Sequence, residues 1–250
     1  MIYTKMACSN AYFLFLQKKV KNYTSVFFDL DRTLWDLEKN ALLCLEEIYH
    51  GNNLHEKGIP SFEAFHTVYK NINNLLWAAY RKDEIKKEKL RTERFKLCLQ
   101  HFRISNDILA NKMGDEYVNN SPKKTALFPH SKEILDYLSK KYSLFIITNG
   151  FKEVQYKKLQ NAAIAKYFKH VFVSEEIGAM KPHPFIFKET LRLSNSSADY
   201  SIMIGDDFAV DILGAKAVGI DQVYFNPENE IQKESATYEI KSLKEIFDIL

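Results

Sequence analysis

The sequence predicts an α/β fold in which a parallel sheet carries helices on both faces and an all-helical segment is inserted after the first strand. Three observations carry that expectation. Short apolar segments that stop at polar or glycine-containing turns recur along the chain, helical stretches separate the later ones, and residues 37–127 show helical spacing without any convincing strand.

Residues 25–29, Ser-Val-Phe-Phe-Asp, read as a buried strand ending in a carboxylate, because β-branched and aromatic side chains run on without alternation. Residues 144–148, 171–174, 202–206 and 222–225 repeat the pattern. Helical stretches are expected at 132–140, 152–160, 184–193 and 211–218, with 243–250 closing the chain. Each parallel crossover needs such a helix to return the chain, so the alternation describes a Rossmann-like sheet, with a ligand at the carboxyl ends of the strands.

Residues 37–127 break that rhythm. Leu, Tyr, Phe and Trp recur there at three- and four-residue spacing among Lys and Glu, which predicts helices at 37–49, 62–80, 85–101 and 107–119. The turn signals Gly51-Asn52-Asn53, Gly58-Ile59-Pro60 and Ser105-Asn106 separate them. The expected organisation is an extension at 1–21, an α/β core at 22–36 and 128–250, and the helical insertion at 37–127. There is no internal repeat.

At 250 residues, 46% hydrophobic and 27% charged, the composition is that of a globular chain. The formal charge, 35 − 32 = +3, is too slight to predict attraction to a nucleic acid polymer or an anionic membrane. Cys8, Cys44 and Cys98 are odd in number and widely spaced, which offers neither a disulfide framework nor a zinc knuckle and fits a reducing, cytoplasmic compartment. The apolar stretch 11–16 is far short of the ~20 residues a membrane span needs, and Lys18, Lys19 and Lys21 stand where a signal peptidase would want small residues. Monomer and homodimer both remain open.

Four strand ends carry chemistry. Asp29-Leu30-Asp31-Arg32-Thr33 follows the first strand, and residues two apart in an extended segment project to the same side, so Asp29 and Asp31 can share one cleft. Thr148-Asn149-Gly150 closes the second, offering a hydroxyl and free amides to an anion. Lys181-Pro182 follows the third and supplies a point charge for phosphate. Gly205-Asp206-Asp207-Phe208-Ala209-Val210-Asp211 ends the fourth with more carboxylates. Several acids at one rim raise each other's pKa, and a divalent cation relieves the repulsion; oxygen ligands of this kind suit Mg²⁺. Read singly, Asp31 and Asp207 are helix caps, Thr148 another, and Lys181 a surface charge. Together they are the parts for phosphoryl transfer through a covalent aspartyl intermediate.

With these motifs in this order, the chain resembles the haloacid dehalogenase-like (HAD) superfamily of phosphohydrolases, over residues 24–225. The helical insertion is similar to that family's cap of the first type, and 30–36 falls where its squiggle-and-flap element lies. Ile147-Thr148-Asn149-Gly150-Phe151, Ser174-Glu175-Glu176-Ile177-Gly178 and Lys181-Pro182 look most like bacterial pyrimidine 5′-nucleotidase-like members. The resemblance implies Asp29 as nucleophile and Asp31 as general acid and then base, with Thr148, Asn149, Gly150 and Lys181 around the phosphate. It implies Mg²⁺ on Asp29, the main-chain carbonyl of Asp31, and Asp206, with Asp207 or Asp211 direct or through water. Arg32 departs from the family pattern: facing the cleft it would weaken Asp31 as an acid, facing the cap it would not.

Specificity is expected from the cap, where Trp35, Trp77, Tyr80 and Arg94 are the candidates: an aromatic ring can stack on a base and a guanidinium can pair with its carbonyls. A Trp at helical spacing is more often core, and His130 and His183 read as structural. The expected activity is hydrolysis of small phosphomonoesters, foremost nucleoside 5′-monophosphates, with sugar phosphates, a phosphomutase or a phosphotransferase as alternatives. Carbon–halogen displacement is disfavoured, because it needs no metal-binding second Asp. A receiver-like signalling module has little use for a ninety-residue lid or for Asp31.

Overall fold

A computed structural model describes residues 21–250. The expected extension at 1–21 lies, apart from Lys21, outside the described residues. Six parallel strands form one sheet: β1 (Ser25–Phe28), β2 (Ser143–Thr148), β3 (His170–Val173), β4 (Ser201–Gly205), β5 (Asp221–Phe225) and β6 (Tyr238–Ile240), in the order β3-β2-β1-β4-β5-β6. The register pairs Phe28 of β1 with Ile146 of β2 and Ile204 of β4, which brings the ends of these three strands to one edge.

Because successive side chains alternate, β1 feeds two cores at once. Val26 and Phe28 join Ile146, Ile204, Leu135 and Leu159 on one face, while Phe27 joins Phe145, Ile147, Met203 and Phe187 on the other. The first face is covered by α5 (Ser131–Leu138) and α6 (Lys152–Asn161), the second by α8 (Pro184–Leu193). A short helix, α7 (Ser174–Ile177), precedes α8.

Residues between β1 and α5 form four helices: α1 (Leu37–Gly51), α2 (Phe62–Arg81), α3 (Lys87–His101) and α4 (Asp107–Asn120). Asp36, Ser61 and Asn106 cap α1, α2 and α4 by accepting from the backbone N–H groups of Lys39, Ala64 and Leu109. These helices enclose a separate apolar cluster that includes Leu45, Ile48, Phe65, Tyr69, Phe95 and Met113, with the free thiols Cys44 and Cys98 buried inside it. The chain entering and leaving this unit is tied together: Asp36 donates its backbone N–H to Ala126 (3.1 Å), and the Asn40 amide exchanges two hydrogen bonds with Ala126 (2.8 and 3.0 Å). No helix among the described residues is long and apolar enough to cross a membrane.

One strand goes beyond the expectation and two helical segments differ from it. Strand β6 escapes the sequence pattern because only Tyr-Glu-Ile is strand, after a polar run. The helix expected over 211–218 begins instead as a π-helical turn, Phe208–Ile212, before α9 (Leu213–Lys216). The carbonyl of Asp207 accepts from both Asp211 and Ile212 (2.8 and 3.4 Å), a widening that spacing alone does not reveal. The last segment is a 3-10 helix, Leu243–Asp248, held by a capping box between Ser242 and Glu245.

Candidate active site

The ends of β1, β2 and β4, with the segment after α7, bring Asp29, Thr148, Lys181, Asp206 and Asp211 to one cavity wall. Lys181 Nζ lies 2.6 Å from both Asp29 Oδ1 and Asp211 Oδ1, and its side chain is 1% exposed. Asn149 fixes the peptide that carries this lysine: its Oδ1 accepts from Lys181 N (2.8 Å) and its Nδ2 donates to the Lys181 carbonyl (2.9 Å). The Asn149 side chain is thereby engaged with the backbone rather than free for a ligand. Gly205 makes the approach of Asp211 possible, because a Cβ there would stand 2.5 Å from Asp211 Oδ2.

Oxygens of Asp29, Asp206 and Asp211 all lie within 4.8 Å of one another. Burial, and then the neighbouring acids set against Lys181, push the Asp29 carboxyl up to about 7. Burial, Asp29 and Asp211 push Asp206 to about 8, against a hydrogen bond from Thr33 Oγ1 (3.1 Å). Burial likewise raises Asp211, although Lys181 opposes it, and the two acids hold Lys181 firmly protonated against its own desolvation. Two buried carboxylates against Lys181 and the half-buried Asp206 beside them leave negative charge that hard-oxygen coordination of a divalent cation would neutralise, so the donor set fits one. Asp207 stands outside this triad; it is exposed, and its Oδ1 accepts from the N–H of Val210 (3.0 Å) as a helix cap.

Asp31 has different company. Its Oδ1 accepts from Lys158 Nζ (2.6 Å) and its Oδ2 from Gln155 Nε2 (2.9 Å), while the same Gln155 amide donates to Thr148 Oγ1 (2.6 Å). Gly150 leaves room for that amide, since a Cβ there would come within 2.2 Å of it. Arg32, in the left-handed region at φ 65°, turns instead to Glu38 (2.6 Å). The cation paired with Asp31 is therefore Lys158, seated 4.1 Å over the ring of Trp35. Gln155 and Lys158 were not singled out in the sequence because a polar helix looks solvated. The available signal was their three-residue spacing beside the apolar Leu159, which puts them on its buried side.

A second, inner cavity adjoins the first between α1, α2, α3, α4 and α6, and residues lining both include Asp31, Arg32, Asn73, Trp77 and Gly150. Trp77 lines both and stacks on Phe151 (centroids 5.4 Å apart). Arg94 is buried on the wall of the inner cavity. Trp35 borders it but is fully buried, its Nε1 donating to the Lys124 carbonyl (3.2 Å). Tyr80 lines neither cavity and packs edge-on against Trp77 and Phe151, so it supports the wall without being part of it. Lys87, at the start of α3, joins the helical unit to the sheet domain through Glu153 (2.8 Å) and Glu175 (2.9 Å).

The sequence has clear relatives. It is 28% identical to the HAD-hydrolase YfnB of Bacillus subtilis over 92% of this chain and 97% of that protein. It is 28% identical to the pyrimidine 5′-nucleotidase PynA of Streptococcus pneumoniae (91% and 95%) and 30% identical to a glyceraldehyde 3-phosphate phosphatase of Pyrococcus furiosus (90% and 92%). A crystal structure of YfnB, described as bound to magnesium and as revealing interdomain movement, superposes with a TM-score of 0.83 at 29% identity, over 92% of this chain and 99% of that one. Residues 26–225 match the haloacid dehalogenase-like hydrolases, and the chain belongs to that family.

Proposed function

We propose that this protein is a Mg²⁺-dependent phosphomonoester hydrolase acting through an aspartyl phosphate on Asp29, with nucleoside 5′-monophosphates as its principal substrates. The observation that carries the reading is the convergence of Asp29, Asp206 and Asp211 on one another and on Lys181 at the sheet edge. In this reading 22–36 and 128–250 are the catalytic core and 37–127 the cap.

Asp29, Asp206 and Asp211 hold the cation, with the main-chain carbonyl of Asp31. When bound, it supplies positive charge that lets a carboxylate approach a phosphate dianion. An oxygen of Asp29 forms the bond to phosphorus as the bond to the leaving oxygen breaks, and Asp31 delivers the proton that the alkoxide takes. Lys181 offsets charge on the transferring group, and Thr148 with the amide of Asn149 receives its oxygens, while the Gly150 N–H donates to Thr148 Oγ1 (3.1 Å) and orients that hydroxyl. Water then attacks phosphorus, Asp31 takes its proton, and the bond to Asp29 breaks. Lys158 and Gln155 each donate to one Asp31 oxygen, which fixes the orientation of this carboxyl at the cleft.

The nucleotide assignment is supported by the likeness to PynA and by the aromatic walls of the inner cavity. The likeness to a glyceraldehyde 3-phosphate phosphatase supports a second reading, a sugar phosphate substrate. The test is phosphate release from a panel of nucleotides and sugar phosphates, with and without Mg²⁺, by the wild type and Asp29→Asn. Mg²⁺-dependent release that disappears in Asp29→Asn is expected; equal release by the two proteins rejects the mechanism.

A further inference from the structure

The inner cavity is lined by residues bearing buried polar atoms that lack a protein partner, Arg94 Nε and Gln155 Oε1, and by Tyr69, whose buried hydroxyl has only that of Tyr117 beside it. Among the described residues only one other such side-chain atom occurs, Thr190 Oγ1, and it lies away from this cavity. Buried polar atoms are nearly always satisfied, so their gathering on residues of one cavity points to a polar ligand there.

Arg94 is the strongest of the three. It is 4% exposed and forms no ion pair among the described residues. Its charge rests on the ring of Tyr117, 4.5 Å away, and on one long hydrogen bond from Nη1 to Asn73 Oδ1 (3.5 Å). The other cations on these walls are occupied: Arg32 and Lys70 by Glu38 (2.6 and 3.2 Å), Lys158 by Asp31 (2.6 Å). A guanidinium has donors and no acceptor, so what completes Arg94 is an oxygen acceptor. Trp77, Tyr69 and Tyr117 supply flat apolar walls around it.

We infer that this cavity receives the leaving group of the monoester, and that Arg94, with Tyr69, is the specificity-determining pair that binds an oxygen acceptor on the edge of a flat ring. The carbonyl of a pyrimidine is the nucleotide form of that chemistry, and an aryl carboxylate is its other source. The inference rests on the phosphatase reading above. A site built to hydrogen-bond an acceptor discriminates strongly against analogues that lack one, because its own donors are then left unpaired.

The experiment compares kcat/KM for uridine 5′-monophosphate, 4-carboxyphenyl phosphate and phenyl phosphate, which has no ring acceptor, in the wild type, Arg94→Met, Arg94→Lys and Tyr69→Phe, with Mg²⁺. The wild type is expected to favour an acceptor-bearing substrate over phenyl phosphate. Arg94→Met is expected to lower that ratio by about 10- to 100-fold, the scale of one lost charged hydrogen bond. Arg94→Lys recovers part of it, having the charge without the fork, and Tyr69→Phe lowers it by several-fold. A preference for 4-carboxyphenyl phosphate that is lost in Arg94→Met supports the role of Arg94 and identifies the acceptor as a carboxylate. An unchanged ratio in Arg94→Met overturns the inference and leaves the phosphatase reading intact. Should circular dichroism show that this variant does not fold, an unchanged ratio in Tyr69→Phe does the same. No phosphate release from any of the three, with release from sugar phosphates, overturns the inference alone; no release from these or from the nucleotide and sugar phosphate panel overturns both.

Discussion

At the sheet edge Lys181 reaches Asp29 and Asp211 at 2.6 Å each, whereas in the adjoining inner cavity Arg94 leans on aromatic rings and pairs with no carboxylate among the described residues. The edge is held by strand termini and by clasps such as Asn149 on the Lys181 peptide; the cavity is walled mainly by helices that have their own apolar core. The contrast teaches a division of labour. Geometry that must be kept within fractions of an ångström sits on the sheet, and geometry that must suit a leaving group sits on an element that can change without disturbing it.

The sharpest way to break this comparison is Asp29→Asn. If the edge alone performs the chemistry, phosphate release falls by about 10³-fold or more on every substrate, whatever fills the inner cavity. Gly205→Ala comes next. A methyl group 2.5 Å from Asp211 Oδ2 must displace that carboxylate, and Mg²⁺ affinity measured by titration calorimetry is expected to fall by about 10- to 100-fold, as when a metal site loses its support. An affinity equal to wild type would show that Asp211 is not needed where it stands.

Metal removal sharpens the same contrast through stability. Mg²⁺ at 100 times its dissociation constant stabilises the folded state by about 2.7 kcal/mol, so chelation lowers Tm and readdition restores it. That increment is expected to shrink in Asp211→Asn and to persist in Arg94→Met, since only the former touches the carboxylate triad. The smallest effect belongs to the seam between the two regions. Lys87→Met removes the ion pairs to Glu153 and Glu175, whose side chains are 45% and 25% exposed, so solvent screening keeps the loss below about 1 kcal/mol. In differential scanning calorimetry this is a Tm change of at most about 4 °C.

Much of this architecture was legible because its signals are local. Five strands, the helical unit and the four motif-bearing strand ends follow from runs and spacings only a few residues long. Strand β6 did not, being three residues whose identity as strand comes from pairing with β5. Within the site, Asp29, Lys181, Asp206 and Asp211 lie together; of the alternatives Asp207 and Asp211, Asp211 joins the triad and Asp207 caps a helical turn, as its place after the strand suggests, while Tyr80 buttresses Trp77 instead of lining a cavity. Gln155 and Lys158 escape sequence reasoning for a physical reason: their partner Asp31 stands more than 120 residues earlier in the chain.

By itself the sequence determined which residues end at the sheet edge, because hydrophobic runs and turn chemistry specify strands without reference to distant partners. Only the tertiary structure decided how the charges pair. Arg32 is adjacent to Asp31 in the chain yet turns to Glu38, while Lys158 crosses from α6 to hold Asp31. Electrostatic pairing depends on distance and burial through space, and neither is written in the order of the residues.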